Sequence, residues 1–256
     1  MKVEFVEEIE STNTELVNRG HKEQEDAVLV AFKQTKGKGR RGRSFYSPAQ
    51  SGLYMSFLVH PDVLIEDAFR LTTLLAVSAC EAIEDMMKLY PLSEKEAAKV
   101  IKIKWVNDLY KDNKKISGIL TECSSTIIND KPQFLVGGIG INLFEPKGGF
   151  PDDIKDRAGA IYDTDVNKID KELLIDIKRS LAGLMVDKFE KYYTDFPAPI
   201  YLGEYKRRSF LIGKKVQILD GPMVKVSDID EDFGLCVEHE DGQKEILRAG
   251  EVSLIL

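Results

Sequence analysis

Cysteine is scarce in this 256-residue chain: Cys80, Cys123 and Cys236 are odd in number and far apart. No disulfide framework or cysteine-zinc spacing can be built from them, which fits a reducing compartment. The three histidines, His21, His60 and His239, are equally scattered. A His-ligated metal or a His-activated nucleophile therefore has no support in the pattern. No apolar run approaches the roughly 18 residues of a membrane-spanning helix, and the acidic start "MKVEFVEEIE" is no secretion signal. Repeats and low-complexity tracts are missing as well. Positive charge is in deficit: 36 Lys+Arg stand against 43 Asp+Glu, giving −7 and a pI near 5.2. Such a field repels polyanions, so no DNA partner and no membrane contact are expected, and a cytoplasmic location is. With 43% hydrophobic residues, the chain can bury the core of one large domain, or of one large and one small.

One segment breaks the acidic background. Residues 33–43, "KQTKGKGRRGR", hold six cations and no acid, and include Gly37, Gly39 and Gly42. Glycines let a backbone approach an anion closely, and arginine offers two-pronged donors to phosphate or carboxylate. The segment reads as a clamp for a small polyanion or, on charge alone, as a solvated basic loop or nucleic-acid patch. It is not a Walker A loop, because the G-x-x-x-x-G-K-[ST] spacing is missing.

The rest of the chain alternates strand and helix patterns. "KVEFVEEI" reads as a strand. "STNTELVNRG" reads as a short helix, with Thr12 as its cap, Glu15 at the capping-box position and Gly20 at its end. "AVLVAF" and "GLYMSFLVH" are strand runs, and residues 68–88 carry apolar positions at the spacing of a long core helix. "IKIKWV" alternates as a strand. "DLYKDNKKISGILTEC" predicts a hairpin turning at Asp112-Asn113, and "TIIND" and "QFLVGGIGINL" supply further strands. Residues 145–168 read as loop. "KELLIDIKRSLAGLMVDKFEKYY" reads as an amphipathic helix, followed by a short one in "APIYLGEYKRR". Short strands between Gly and Asp turns then crowd the end of the chain. The division predicted is an α+β body, 1–209, and a small β domain, 210–256.

Four further motifs can carry chemistry, and each has a plain structural alternative. "STN" at 11–13 is also ordinary helix capping. In "IKIKWVNDLY", Lys104 on a strand ending in Asn107-Asp108 can reach a phosphate, or is a surface lysine beside a core Trp105. Gly118 in "KKISGILTE" interrupts a strand where a ligand or another backbone comes close, with Lys115 just ahead. "GGIGIN" at 137–142 places three glycines on an apolar strand and ends in Asn142. It lacks the helix that a dinucleotide fingerprint needs.

Together and in order, "STN", "Q-x-x-G-x-G-R-R-G-R-x-x-x-S-P", "K-W-x-N-D-L", "K-x-x-G-I-L-x-E" and "G-I-G-I-N" resemble biotin protein ligases, from about residue 10 to the end. The resemblance implies a mixed β-sheet with helices packed on one side, of the class II synthetase type, followed by an SH3-like barrel. It also implies the short form without an N-terminal helix-turn-helix repressor domain. The implied reaction joins biotin to ATP as biotinyl-5′-AMP, with Mg²⁺, and then to a lysine of a biotin carboxyl carrier domain, that of acetyl-CoA carboxylase being usual. A homodimer is compatible with it. By resemblance, Ser11, Thr12 and Gln34 face biotin's ureido ring, and Asn13 is a further biotin-binding residue. Gly37, Lys38, Gly39 and Arg40 form the loop over biotin, and Gly118, Leu120 and Gly138 line its tail. Arg40 and Lys115 are the implied catalytic pair. Arg43, Phe45, Lys104, Asn107, Asp108 and Asn142 would face the nucleotide, with Asp108 orienting Lys115 or accepting the amine's proton. The chain departs from the family at Val106, where proline is usual, and at residues 36–38, where Ala-Gly-Arg is usual. Two other readings stand beside this one: a lipoate ligase of the same fold, and a nucleic-acid-binding module using residues 33–43.

Overall fold

In the computed structural model, residues 1–93, 98–219, 221–248 and 252–254 are described. Strand β1 (Lys2–Val6) leads through helix α1 (Thr12–Gly20) to β2 (Ala27–Ala31), and β1 and β2 pair in parallel. β3 (Gly52–Val59) returns antiparallel to β2. Helix α2 (Arg70–Leu89) is followed by β4 (Lys102–Lys104), β5 (Asp108–Lys111) and β6 (Lys114–Cys123). The hairpin between β5 and β6 turns at Asp112 and Asn113 with φ of 48° and 65°, the left-handed pair the sequence predicts. A two-residue ribbon, β7 (Ile127–Ile128) with β8 (Lys131–Pro132), precedes β9 (Leu135–Asn142). The main sheet runs β1-β2-β3-β9-β6-β5-β4, mixed as expected.

Residues 145–168 are not all loop. β10 (Phe144–Glu145) pairs with β11 (Tyr162–Asp165), and Phe144 stacks on Tyr162 in the core. Helix α3 (Lys171–Tyr193) is capped by Asp170, whose carboxylate accepts from the N–H groups of Glu172 and Leu173. Helix α4 (Leu202–Arg208) follows. A five-stranded antiparallel sheet closes the chain: β12 (Lys215–Ile218), β13 (Met223–Ile229), β14 (Leu235–Glu238), β15 (Lys244–Leu247) and β16 (Val252–Leu254).

Strand alternation divides the main sheet into two faces. Leu53, Met55, Phe57 and Val59 of β3, with Ile139 and Ile141 of β9, join the core under α2 and α3. Phe57 stacks on Phe189 of α3 with centroids 4.3 Å apart. The opposite face is where the helices-on-one-side expectation fails. Leu16 of α1 packs there with Leu29, Leu58, Phe134 and Val136 in a smaller cluster. The β1-to-β2 connection must cross one face to join parallel strands, and α1 is that crossing.

The strand predicted through "IKIKWV" stops at Lys104. Trp105 turns inward, is 4% exposed, and donates its indole N–H to the carbonyl of Phe233 at 2.8 Å. Phe233 itself stacks on Tyr201. Ion pairs Arg70–Asp232 at 2.7 Å and Lys206–Asp228 at 2.8 Å also join the small sheet to the body.

Candidate active site

Ser11, not Thr12, caps α1: its hydroxyl accepts from the N–H of Thr14 at 3.4 Å. Both residue types cap well, so the local sequence does not separate them. The shift leaves Glu15 outside the capping box, and it bonds Arg19 instead at 2.8 Å. It also turns Thr12 and Asn13 inward. Ser11, Thr12 and Asn13 are 3%, 3% and 5% exposed, a burial that polar side chains tolerate only when bonded. The Thr12 N–H donates to Gln34 Oε1 at 2.8 Å. Asn13 Nδ2 donates to the Leu120 carbonyl at 3.1 Å and to Glu122 Oε2 at 2.9 Å. Ser56 Oγ lies 2.6 Å from Asn13 Oδ1 and 2.7 Å from Thr12 Oγ1.

The strand glycines make room for the protein's own side chains. A Cβ on Gly138 would fall 1.7 Å from Asn13 Oδ1, and one on Gly140 would fall 2.4 Å from the Phe45 ring. The asparagine amide and the phenyl ring thus lie directly on β9 backbone. That refines the expectation that glycines here admit a ligand: they seat the groups that line the cavity. Gly37 faces away from it, enclosed by Ser47, Phe45 and Gln34 of its own loop.

The basic loop is a strap, held by Phe45 N–H to Gly37 O at 2.9 Å and Gly39 N–H to Arg43 O at 2.7 Å. Its turn uses left-handed backbone at Arg41 (φ 56°) and Gly42 (φ 72°). Its cations divide into two sets. Lys33, Lys36 and Lys38 pair with Glu8, Glu10 and Glu122 at 2.7, 2.8 and 3.5 Å. Arg40, Arg41 and Arg43 line the cavity, as Lys38 of the first set also does, and Arg40 Nη1 donates to Asn107 Oδ1 at 3.0 Å.

Across the cavity, Asn107 is fixed by donating Nδ2 to the Ile119 carbonyl at 3.0 Å. Lys115 Nζ sits 2.6 Å from Asp108 Oδ1, with the lysine side chain 33% exposed. The backbone of Lys115 is clasped on both sides: its N–H donates to Arg157 O at 2.8 Å, and its carbonyl accepts from Gly159 at 2.9 Å. Asn142 Nδ2 holds the Gly159 carbonyl at 3.0 Å.

These groups surround one cavity of about 590 Å³, within the range of small-molecule sites. Every side chain and glycine assigned from the sequence lines it except Gly37. The sequence reading missed Ser56, Gly140, Tyr110, Phe210 and Val252, and Phe150, Ile154 and Arg157 of the loop before Ala158. Ser56 had a readable cue, a lone hydroxyl in the apolar run "LYMSFLV". Gly140 and Tyr110 lie within quoted motifs, "GGIGIN" and "IKIKWVNDLY", without being assigned to the site, and the rest lie outside any motif. Along β9 the cavity changes character: Asn13 with the Thr12–Gln34 pair sits over Gly138, and Phe45 over Gly140. β9 ends at Asn142, another residue of the cavity wall. Arginines and lysines outnumber carboxylates in the lining, so the cavity suits an elongated ligand with a neutral polar head and an anionic tail.

Residues 5–142 match the family described as Biotin/lipoate A/B protein ligase family. The bifunctional ligase/repressor BirA of Bacillus spizizenii is 30% identical over 96% of this chain and 71% of that protein. The biotin–[acetyl-CoA-carboxylase] ligase of Mycobacterium tuberculosis is 24% identical, covering 98% of this chain and 88% of its own. Among solved structures, the Aquifex aeolicus biotin protein ligase in complex with biotin and ATP superposes with a TM-score of 0.72 at 26% identity. That match covers 99% of this chain and 98% of the other.

Proposed function

The chain belongs to the biotin/lipoate A/B protein ligase family, and on that premise we propose that its cavity makes and holds biotinyl-5′-AMP. The activity is that of a biotin–[acetyl-CoA-carboxylase] ligase. One observation carries the site reading. A single cavity joins the buried Ser11–Thr12–Gln34 wall to Arg40, Arg43 and Lys115. A ureido ring offers one carbonyl and two N–H groups, which hydroxyls and an amide complement.

The first step brings two anions together. A carboxylate oxygen of biotin attacks the α-phosphorus of ATP, the bond from that phosphorus to the bridging oxygen breaks, and pyrophosphate leaves. Fixed cations offset the repulsion and stabilise charge that grows in the transition state. Arg40, aimed by Asn107, and Lys115, held by Asp108 at 2.6 Å, supply them on this reading. The ion pair favours an orienting role for Asp108 over proton acceptance. Lys104, Arg43, Phe45 and Asn142 are assigned to the nucleotide. Among the described residues no three His, Cys, Asp or Glu side chains converge as a metal site. Mg²⁺ would arrive with ATP and would neutralise phosphate charge as pyrophosphate leaves. In the second step a carrier lysine amine attacks the acyl carbon, the bond to AMP breaks, and the amine gives up its proton. Until then the strap shields the adenylate from water. A cytoplasmic carrier domain is the acceptor we propose.

Two observations weigh against the other readings. Lipoate has no ureido group for the Thr12–Gln34 wall to bond. The strap's lysines are paired with glutamates and its arginines turned to the cavity, so they form no continuous basic groove for nucleic acid. ATP–pyrophosphate exchange measured with biotin and lipoate side by side should depend on biotin; preferential exchange with lipoate overturns the assignment. Arg40→Ala and Lys115→Ala should each slow exchange by about 10²–10³-fold, and full activity in both removes them from the chemistry.

A further inference from the structure

Lys111 ends β5 and is only 3% exposed. A buried ammonium is costly unless its protons are bonded. Its Nζ donates to the Ile161 carbonyl at 2.7 Å and to Asp163 Oδ2 at 3.2 Å. The Asp163 side chain is 66% exposed, so the carbonyl is the buried partner. By strand alternation Lys111 points with Leu109 of the core, opposite to Asp108 and Tyr110 of the cavity lining. The chemistry proposed above makes no use of this cation.

What Lys111 holds is a strip of main chain, residues 157–161. The strip leaves the cavity lining at Arg157 and Ala158 and enters the core at Ile161. Residues 146–161 form no helix or strand, so crossing bonds must set their place. Arg157 O accepts from the Lys115 N–H at 2.8 Å, and the Gly159 N–H donates to Lys115 O at 2.9 Å. Gly159 O accepts from Asn142 Nδ2 at 3.0 Å, and the Ile161 N–H donates to Asn142 O at 2.9 Å. The strip also presses on the hairpin, since a Cβ on Gly159 would fall 2.6 Å from Lys114 Cβ. Lys115 and Asn142 come from different strands and share this one support.

The geometry points to Lys111 as a positioning residue for the nucleotide end of the cavity. Its ammonium pins the strip from the core side, and the strip holds Lys115 and Asn142 in register with each other. The inference rests on the reading that those two residues serve the phosphate and the nucleotide. The head wall lies outside its reach, because Thr12, Asn13 and Gln34 bond to Leu120, Glu122, Ser56 and Ser47.

The test sets ATP–pyrophosphate exchange at saturating biotin beside direct titration of biotin without ATP, both on the full chain. Exchange rates are counted per biotin-binding site, so that unfolded protein does not enter them. Lys111→Met keeps an apolar stem and removes the ammonium. It should lower kcat/KM for ATP about tenfold, the size of one charge-assisted hydrogen bond. The dissociation constant for biotin should move less than about twofold. A merely structural lysine predicts no change per site, or equal changes in both quantities, and either result overturns the inference. Should Lys111→Met fail to fold, Lys111→Gln takes its place, with an amide one atom short of the ammonium. The same split supports the inference, and its absence overturns it. An unaltered protein without biotin-dependent exchange overturns the ligase reading itself, whereas a missing split in an active protein overturns this inference alone.

Discussion

On the α2 side of β3, Leu53, Met55, Phe57 and Val59 point into the core; on the α1 side, Tyr54 and Ser56 alternate with them and lie behind the cavity wall, Tyr54 against Phe45 and Ser56 against Thr12 and Asn13. β9 repeats the contrast, with Ile139 and Ile141 on one side and Gly138, Gly140 and Asn142 on the other. The same backbone builds both faces. The core face gains stability from volume, because large side chains interdigitate and each buried methylene counts. The site face is built by removing volume, so that short polar groups and one phenyl ring can rest on bare backbone. Stability and chemistry are therefore separated by the pleat of the sheet, at a distance of one residue.

Substitutions on each face should separate the same way. The largest effect is expected from Phe57→Ala, which leaves a cavity against Phe189 and should cost about 3–5 kcal/mol in denaturant unfolding. Biotin KM in the folded fraction should not change; a parallel rise would show that the faces are coupled. Next is Gly138→Ala. Its methyl would overlap Asn13 Oδ1, an overpacking worth about 1–3 kcal/mol, and the site should absorb it as a 10–100-fold rise in biotin KM. A shift confined to the unfolding midpoint, with KM intact, would break the comparison. The smallest effect concerns a polar intruder on the core side. Lys178 of α3 is buried, with Nζ 5.2 Å over the Phe32 ring, and burial pulls its pKa down to about 8 from 10.5. Because the folded-state value lies below the unfolded one, the unfolded chain binds more protons between about pH 8 and 10.5, and stability should rise with pH across that window. Lys178→Met should stabilise the protein at pH 7 by about 1–3 kcal/mol and remove the pH slope. An unchanged slope would mean that Lys178 does not titrate as described.

Much of this was legible from residue order alone. The strand runs, the Asp112-Asn113 turn and the long helix under the sheet follow from periodicity and turn chemistry. The cavity lining follows from the order of five short motifs. The misses have physical causes. Ser11 and Thr12 cap equally well, so which of them turns inward is decided by Gln34, distant in sequence. A glycine on a strand announces a close approach but not by what, and here the partners are Asn13 and Phe45. Phe150, Arg157 and Val252 enter the cavity through loop and sheet contacts that no local pattern encodes. β11 inside the expected loop is too short to show a period.

Val252 of the small terminal sheet lines the cavity, and the indole beside Lys104 hangs from the carbonyl of Phe233. Anyone trimming this enzyme to a minimal labelling tag would be tempted to cut near residue 210, where the composition changes. The cut would remove Val252 from the cavity lining along with the support of the "KWVND" turn. The terminal sheet is better treated as a fixed component of the catalyst than as a detachable accessory.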